Sequence, residues 1–531
     1  MTQFRKAFMA AVVKSLLRGK TLIQAILSYW LSGNKKSKET GTQKKSLQQF
    51  LKDAEAALVG PISGDGLQEL SVKLKQQILD ALQADVQCML PSYSHQLPVG
   101  SEYGQFLALD VGGSTLRVAL VELRGREKGS ENATEIVSMQ NYRITKEVKD
   151  LEGIAFFEWM AARITETIQT TLNREHSVEK PLPVSMAWSF PIDQTSLGGG
   201  KLSPMGKGFL ADIGLVGQDL GDIVKTACKN QNLNVELKAI LNDSSACLLS
   251  RAYSHSSTRF GLILGTGVNI AAYLPVSAIS RSKFGERPAG WFDEASHVIV
   301  NTELGMFGSK ILPLTRWDRQ LSKEHPRPDF QPLEYMTSGM YLGEIVRLIL
   351  VDAIQTTGLM GGVVPPSLTE LYSLGTETIS TIEGDTTADL SEAISCFSEK
   401  HPSSHAPSVI DMSAIKAIAS FVSVRSSALI ASAVYALWDI RQEGDQKLLT
   451  TLPESSPLRI TVEEDLNMEK TTVAFNGSVI EQYPGYLASC QRYISELLES
   501  KPSGENKSIE LVSAKESSLT GAAVALACLD S

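Results

Sequence analysis

Apolar positions along this chain recur at two spacings, and the alternation between them lays out the expected elements. From Thr42 to about Ala84 the spacing is helical, with Leu47, Leu51, Ala54 and Leu58 in one register. A connector rich in Pro and Ser follows from Leu90 to Pro98. The segment FLALDVGGSTLRVALVEL, Phe106 to Leu123, then reads as strand, glycine turn and second strand. Short apolar runs predict further buried strands at Val184 to Ser189, Leu237 to Leu241, Phe260 to Leu264 and His297 to Asn301. Long apolar helices are expected at Tyr341 to Ile354 and Ile415 to Trp438. Between them, Gly375 to His405 is dominated by Ser, Thr, Glu and Asp and reads as a solvated loop or peripheral element. The chain closes with a strand (Thr472 to Phe475), a helix (Tyr486 to Leu498), a strand (Ile509 to Ser513) and a last helix from Gly521. Strands alternating with helices predict an α/β class.

Length and composition sharpen this picture in three ways. At 531 residues the chain exceeds one compact core, so two large domains and a tail are expected. Hydrophobic residues at 43%, charged residues at 21% and a net charge of -9 describe a soluble globular protein without the basic field that nucleic acid requires. The six cysteines show no paired spacing and the seven histidines are scattered, which predicts free thiols and no protein-built metal site.

The N-terminus differs from that average. No acidic residue precedes Glu39, whereas Arg5, Lys6, Lys14, Arg18, Lys20, Lys35, Lys36 and Lys38 are all basic. Phe8, Val12, Leu16, Leu22, Ile26 and Trp30 recur at helical spacing, with Lys14 and Arg18 opposite. The longest uncharged stretch, Thr21 to Asn34, is shorter than the roughly 20 residues that span a bilayer. The pattern predicts a targeting or anchor segment over residues 1–40 that meets a membrane surface or import receptor. A helix docked on the domain is the alternative.

Two glycine turns carry the candidate phosphate chemistry. Gly112, Gly113, Ser114 and Thr115 follow an apolar strand that ends near Asp110, and Gly265, Thr266 and Gly267 follow a second one. A third apolar strand runs into Asn476, Gly477 and Ser478. One such turn by itself only permits a tight reversal of the chain. Repeated, these turns supply backbone N–H groups for phosphates, with Asp110 near a metal.

Several further segments resemble the hexokinase family: WSFPIDQTSLGGGKLSPMGKGF, LNDSSACLLSRAY, GTGVN, VNTELGMFG and LEYMTSGMYLGEIVRL. Their order and spacing follow that family from about residue 45 to the C-terminus. The resemblance implies an α/β, two-lobed, actin-like ATPase (ribonuclease H-like) fold with a cleft between small and large domains. It divides the chain into an N-terminal half, 41–240, and a C-terminal half, 241–531. It also implies a hexose such as glucose held by Ser189, Lys207, Asn242, Asp243, Asn269, Glu303 and Glu334. Such residue types suit a ring of hydroxyls, each of which donates and accepts. Asp243 would be the general base for the C6 hydroxyl, and Lys207 would stabilise charge on the moving phosphoryl group. Taken alone, Asp243 also reads as a helix N-cap. The resemblance also implies ATP with Mg as the nucleotide partner, on the three glycine turns and Ser518.

The phosphate side departs from the family pattern. Gly206 stands where the family has Thr, Thr115 where it has Asn, and Asn476 where it has Asp. Glu516-Ser517-Ser518-Leu519 replaces DGSG. A leucine in place of glycine is expected to keep the backbone from approaching phosphate. Each lost charge-stabilising donor costs ~3 kcal/mol in such transfers. The departures therefore predict weak or lost transfer. With the basic N-terminus, they make the chain similar to atypical, regulatory hexokinases of fungi linked to carbon-starvation responses. That reading implies a mitochondrial location, on the outer-membrane surface facing the cytosol, and an outer-membrane or regulatory protein partner. The alternative is a fully active hexokinase or glucokinase of glycolysis.

Overall fold

The computed structural model describes residues 45–171, 177–500 and 506–529, so the segment expected over 1–40 lies outside the described residues. The described chain forms two compact units, each built from separate stretches of sequence. One comprises the residues up to Leu70, Lys310–Ile430 and Gln482–Ser489. The other comprises Ser71–Ser309, Ala431–Glu481 and the chain from Cys490 onward.

All the strands among the described residues belong to the second unit. In chain order they are β1 (Leu90–Pro91), β2 (Tyr103–Val111), β3 (Thr115–Arg124), β4 (Thr134–Arg143), β5 (Leu182–Trp188), β6 (Ile192–Gln194), β7 (Gly200–Leu202), β8 (Val235–Leu241), β9 (Thr258–Leu264), β10 (Val268–Pro275), β11 (His297–Asn301), β12 (Lys470–Asn476) and β13 (Ser508–Ser513). One sheet has the order β4-β3-β2-β5-β8, an antiparallel meander whose first strand in the chain is extended by two parallel strands. The other has the order β1-β11-β10-β9-β12-β13 and repeats that plan beyond the short edge strand β1. The expected α/β class is the observed one.

Sequence explains the layering. Six of the seven residues of the inner strand β5 are buried, as a parallel strand covered on both faces requires. The edge strand β4 has no fully buried position and carries polar side chains. Helices Asp243–Ser254 and Ser517–Ala527 share one core with the strands, in which Ala108, Ala119, Leu241, Leu249, Ala271, Ile299, Leu519 and Ala523 are all buried.

The first unit is helical. Its interior holds Arg425, fully buried and paired with Asp318 through two hydrogen bonds of 2.7 Å. Gly375 to His405, expected as a solvated loop, instead forms helices Thr376–Gly384 and Ser391–Lys400. Ile379, Ile382, Ala393 and Phe397 are buried, and these few apolar anchors were masked by the polar residues around them. The helix expected at Ile415 to Trp438 extends over Val409–Thr451. It is long and apolar enough to cross a membrane, but 94% of its apolar window is buried inside the protein, as a core helix is. The last helix begins at Ser517, four residues before the expected Gly521.

Candidate active site

Parallel strands deliver their next residues to one edge of a sheet, where α/β proteins place ligands. Ser189 directly follows β5, and Asn242 and Asp243 directly follow β8. Asp110 sits one residue before the end of β2 and pairs across the hairpin with Arg117. In the second sheet the same edge carries Asn269 near the start of β10 and Asn301 at the end of β11. Ser189, Lys207, Asn242, Asp243, Asn269 and Glu303 all belong to the second unit. Glu334 stands in the first unit, on the short helix Pro332–Thr337.

Asp243 is hydrogen-bonded through one oxygen and unpartnered at the other. Its Oδ2 accepts a hydrogen bond from the Ser189 hydroxyl at 2.7 Å, while its buried Oδ1 has no partner. Burial pushes its carboxyl above the ordinary range, against the pull of Ser189, Lys207 and Arg117. Asp243 is not the N-cap expected from sequence. Asn242 takes that role, accepting from the Ser244 N–H at 2.9 Å, and Asp243 becomes the first helical residue. Lys207 donates from Nζ to the Ser189 carbonyl at 2.7 Å and lies over the Phe190 ring. Residues 206–208 all have positive φ, of 66°, 53° and 79°. Gly206 accepts that left-handed geometry freely, whereas a β-branched residue strains there.

On the phosphate side, Gly113, Ser114, Thr266 and Gly267 keep their N–H groups free of backbone partners. Gly477 presses against the second turn so closely that an added Cβ would lie 2.3 Å from the Leu264 carbonyl oxygen, and Ser478 is exposed beside it. Asp110 is buried, which pushes its carboxyl up to about 6 despite Arg117 beside it. Arg117 bridges Asp110 and Glu516, a linkage the sequence reading missed, although a charged residue in so apolar a strand was the available signal. Among the described residues no three His, Cys, Asp or Glu side chains gather as metal ligands. That suits Mg, which is held by one or two carboxylates together with substrate phosphates and water. Turn N–H groups without backbone partners, together with the buried carboxylate of Asp110, fit a Mg-bound triphosphate.

Leu519 corrects a sequence expectation. Its side chain is 0% exposed and lies in the core, so it does not bar phosphate. Ser518, one residue earlier, is half-buried in the first turn of the last helix.

Known proteins are similar to this chain over most of its length. Two family profiles described as Hexokinase match residues 59–253 and 259–528. A hexokinase of Kluyveromyces lactis is 29% identical over 444 residues, covering 83% of this chain and 84% of the relative. Hexokinase-4, chloroplastic, of Oryza sativa subsp. japonica is 30% identical over 439 residues, covering 82% of this chain and 79% of the relative. Among solved structures, a hexokinase from Schistosoma mansoni complexed with glucose matches with a TM-score of 0.70 and 26% identity. That match covers 91% of this chain and 100% of the other.

Proposed function

The chain belongs to the hexokinase family, and from that premise we propose that it binds a hexose such as glucose together with ATP and Mg, and directs phosphoryl transfer to the sugar's C6 hydroxyl. The observation that carries this reading is the buried, unpartnered Oδ1 of Asp243, whose other oxygen is tied to Ser189. A carboxylate so held is a general base with one lone-pair face reserved for a ligand proton. As the C6 oxygen forms its bond to the γ-phosphorus and the bond to the leaving ADP oxygen breaks, the hydroxyl proton passes to Asp243. Lys207 stands beside this centre as a positive charge. Asn242, Asn269 and Glu303 serve the remaining hydroxyls, in line with the family resemblance. The turns at Gly112–Thr115, Gly265–Gly267 and Gly477–Ser478, with Ser518, receive the triphosphate, and Asp110 is the carboxylate placed to hold Mg. When bound, Mg would neutralise charge on the phosphates.

The same reading includes weak or absent transfer, with the chain acting as a glucose sensor in carbon-starvation responses. Its support is the pattern of departures. The hexose-type residues keep the family's identity, while the phosphate side has Gly206 for Thr, Thr115 for Asn, Asn476 for Asp and Ser517 for glycine. The basic, acid-free N-terminus supports a position on the cytosolic face of the mitochondrial outer membrane, with a protein partner there.

A coupled assay of purified protein with glucose and MgATP tests the proposal. Turnover far below an ordinary ~10 per second is expected. Asp243→Asn should lower any residual rate a further hundredfold or more. Ordinary turnover would make this a fully active hexokinase of glycolysis. A residual rate untouched by Asp243→Asn would remove Asp243 from the chemistry.

A further inference from the structure

Sequence reading singled out Asn269 and Glu303 but passed over the residue that joins them. Asn301 ends β11, and its carboxamide lies between the two. Asn269 Oδ1 accepts from the N–H of Ile270 at 2.8 Å and of Leu304 at 3.2 Å, which fixes that amide's orientation. Its Nδ2 must then point outward, and it donates to Asn301 Oδ1 at 2.7 Å. With Oδ1 engaged, Asn301 Nδ2 donates to Glu303 Oε1, again at 2.7 Å. Hydrogen-bond polarity thus runs from the β10 backbone through two carboxamides to one carboxylate oxygen. Glu303 itself has a φ of 51°, the left-handed region that a non-glycine residue rarely takes.

We propose that Asn301 is a positioning residue that sets the polarity of the hexose site, holding Asn269 as donor and Glu303 as ionised acceptor. This rests on the hexose-binding reading above and adds to it which group offers what. Asn242 Oδ1 already accepts from the N–H and the hydroxyl of Ser244, so its Nδ2 faces the ligand as a donor. Asn269 Nδ2 makes only a loose 3.5 Å contact to Asn242 Oδ1, which leaves its second hydrogen for a hydroxyl. Glu303 Oε2 remains to accept. A sugar hydroxyl placed among these groups both donates and accepts. Burial pushes the Glu303 carboxyl up and the Asn301 amide opposes that shift. The titratable neighbour that senses Glu303 is Cys88, whose own thiol burial pushes up while Lys283 pulls it down.

Asn301→Asp is nearly the same size but sets an acceptor against an acceptor, so the two carboxylates must share a proton. Calorimetric glucose titrations of the full chain at pH 8 and pH 5.5 supply the test. Wild type should change little with pH. Asn301→Asp should bind at least tenfold more weakly at pH 8 and recover most of that loss at pH 5.5, where the shared proton replaces the amide. Asn301→Ala should be weak at both. A packing defect would not produce recovery on acidification. A second readout needs no sugar: the Glu303 carboxyl followed by 13C NMR of glutamate-labelled protein, assigned by its loss in Glu303→Gln. Its titration midpoint should rise in Asn301→Ala and further in Asn301→Asp. Wild type that binds no hexose would defeat the hexose reading, while the NMR titration would still decide the role of Asn301. Asn301→Asp that binds glucose like wild type at pH 8, or a Glu303 midpoint unmoved in both variants, would overturn the proposal.

Discussion

Replacing Leu519 by glycine brings the sequence closer to its family, and for that reason the substitution separates two accounts of the residue. If Leu519 only obstructs phosphate, glycine there should improve phosphoryl transfer. The structure predicts damage. Leu519 is 0% exposed, in a core shared with Leu241, Ala246, Leu249 and Ala523. Truncating a buried leucine to alanine costs about 2–5 kcal/mol through lost burial and a residual cavity. Glycine within a helix adds about 0.5–1 kcal/mol, here in the first turn of Ser517–Ala527, where that addition is smaller. A loss of about 3–5 kcal/mol is a large part of the 5–15 kcal/mol that separates a typical folded state from the unfolded chain. At roughly 2–4 °C per kcal/mol, the melting temperature should fall by about 10 °C. Thermal denaturation of wild type and Leu519→Gly, each followed by tryptophan fluorescence, measures this directly. A variant that melts within about a degree of wild type and phosphorylates glucose faster would refute the core assignment.

Two more outcomes follow from other parts of the molecule. Glu383 is buried, accepts from the Tyr483 hydroxyl at 2.8 Å, and is pushed by burial from its ordinary 4.5 up to about 7. A carboxyl raised in the folded state contributes stability that is fully present below pH 4.5 and is lost as pH rises through 7. That amounts to about 3 kcal/mol, so the urea midpoint of wild type should fall relative to Glu383→Gln between pH 5 and pH 8, and parallel curves would contradict it. For the N-terminus, a fluorescent fusion lacking residues 1–40 should become diffuse in cells where the full chain marks mitochondria. An unchanged distribution would end the anchor proposal, and protease protection in intact organelles would favour import.

Much of the fold was legible because its inner strands are buried on both faces. VSMAWS and FGLILGTGVNIAAYL admit few readings other than apolar strands meeting tight turns. The two hairpins therefore announce the repeated strand–turn–strand plan in the sequence itself. Helices Thr376–Gly384 and Ser391–Lys400 were not legible, since a few anchors such as Ile382 and Phe397 suffice to dock them beneath a polar surface. Within the candidate site, sequence identified side chains by type but not by direction. It could not show that Asn242, and not Asp243, caps the helix, because both are good N-caps and only backbone geometry chooses between them. Nor could it show that Leu519 points into the core. Asn301 escaped notice because its role lies in orienting two neighbours, and only hydrogen-bond distances reveal that.

The central claim is that this chain retains a hexose site on Asn242, Asp243, Asn269 and Glu303. Isothermal calorimetry of the purified full chain with glucose, without nucleotide, tests it most directly. The account predicts a saturable single-site isotherm with a dissociation constant of about millimolar or tighter, abolished in Glu303→Ala and in Asn242→Ala while both variants remain folded. The absence of saturable heat with glucose, mannose or fructose, or an isotherm unaffected by either substitution, would contradict it.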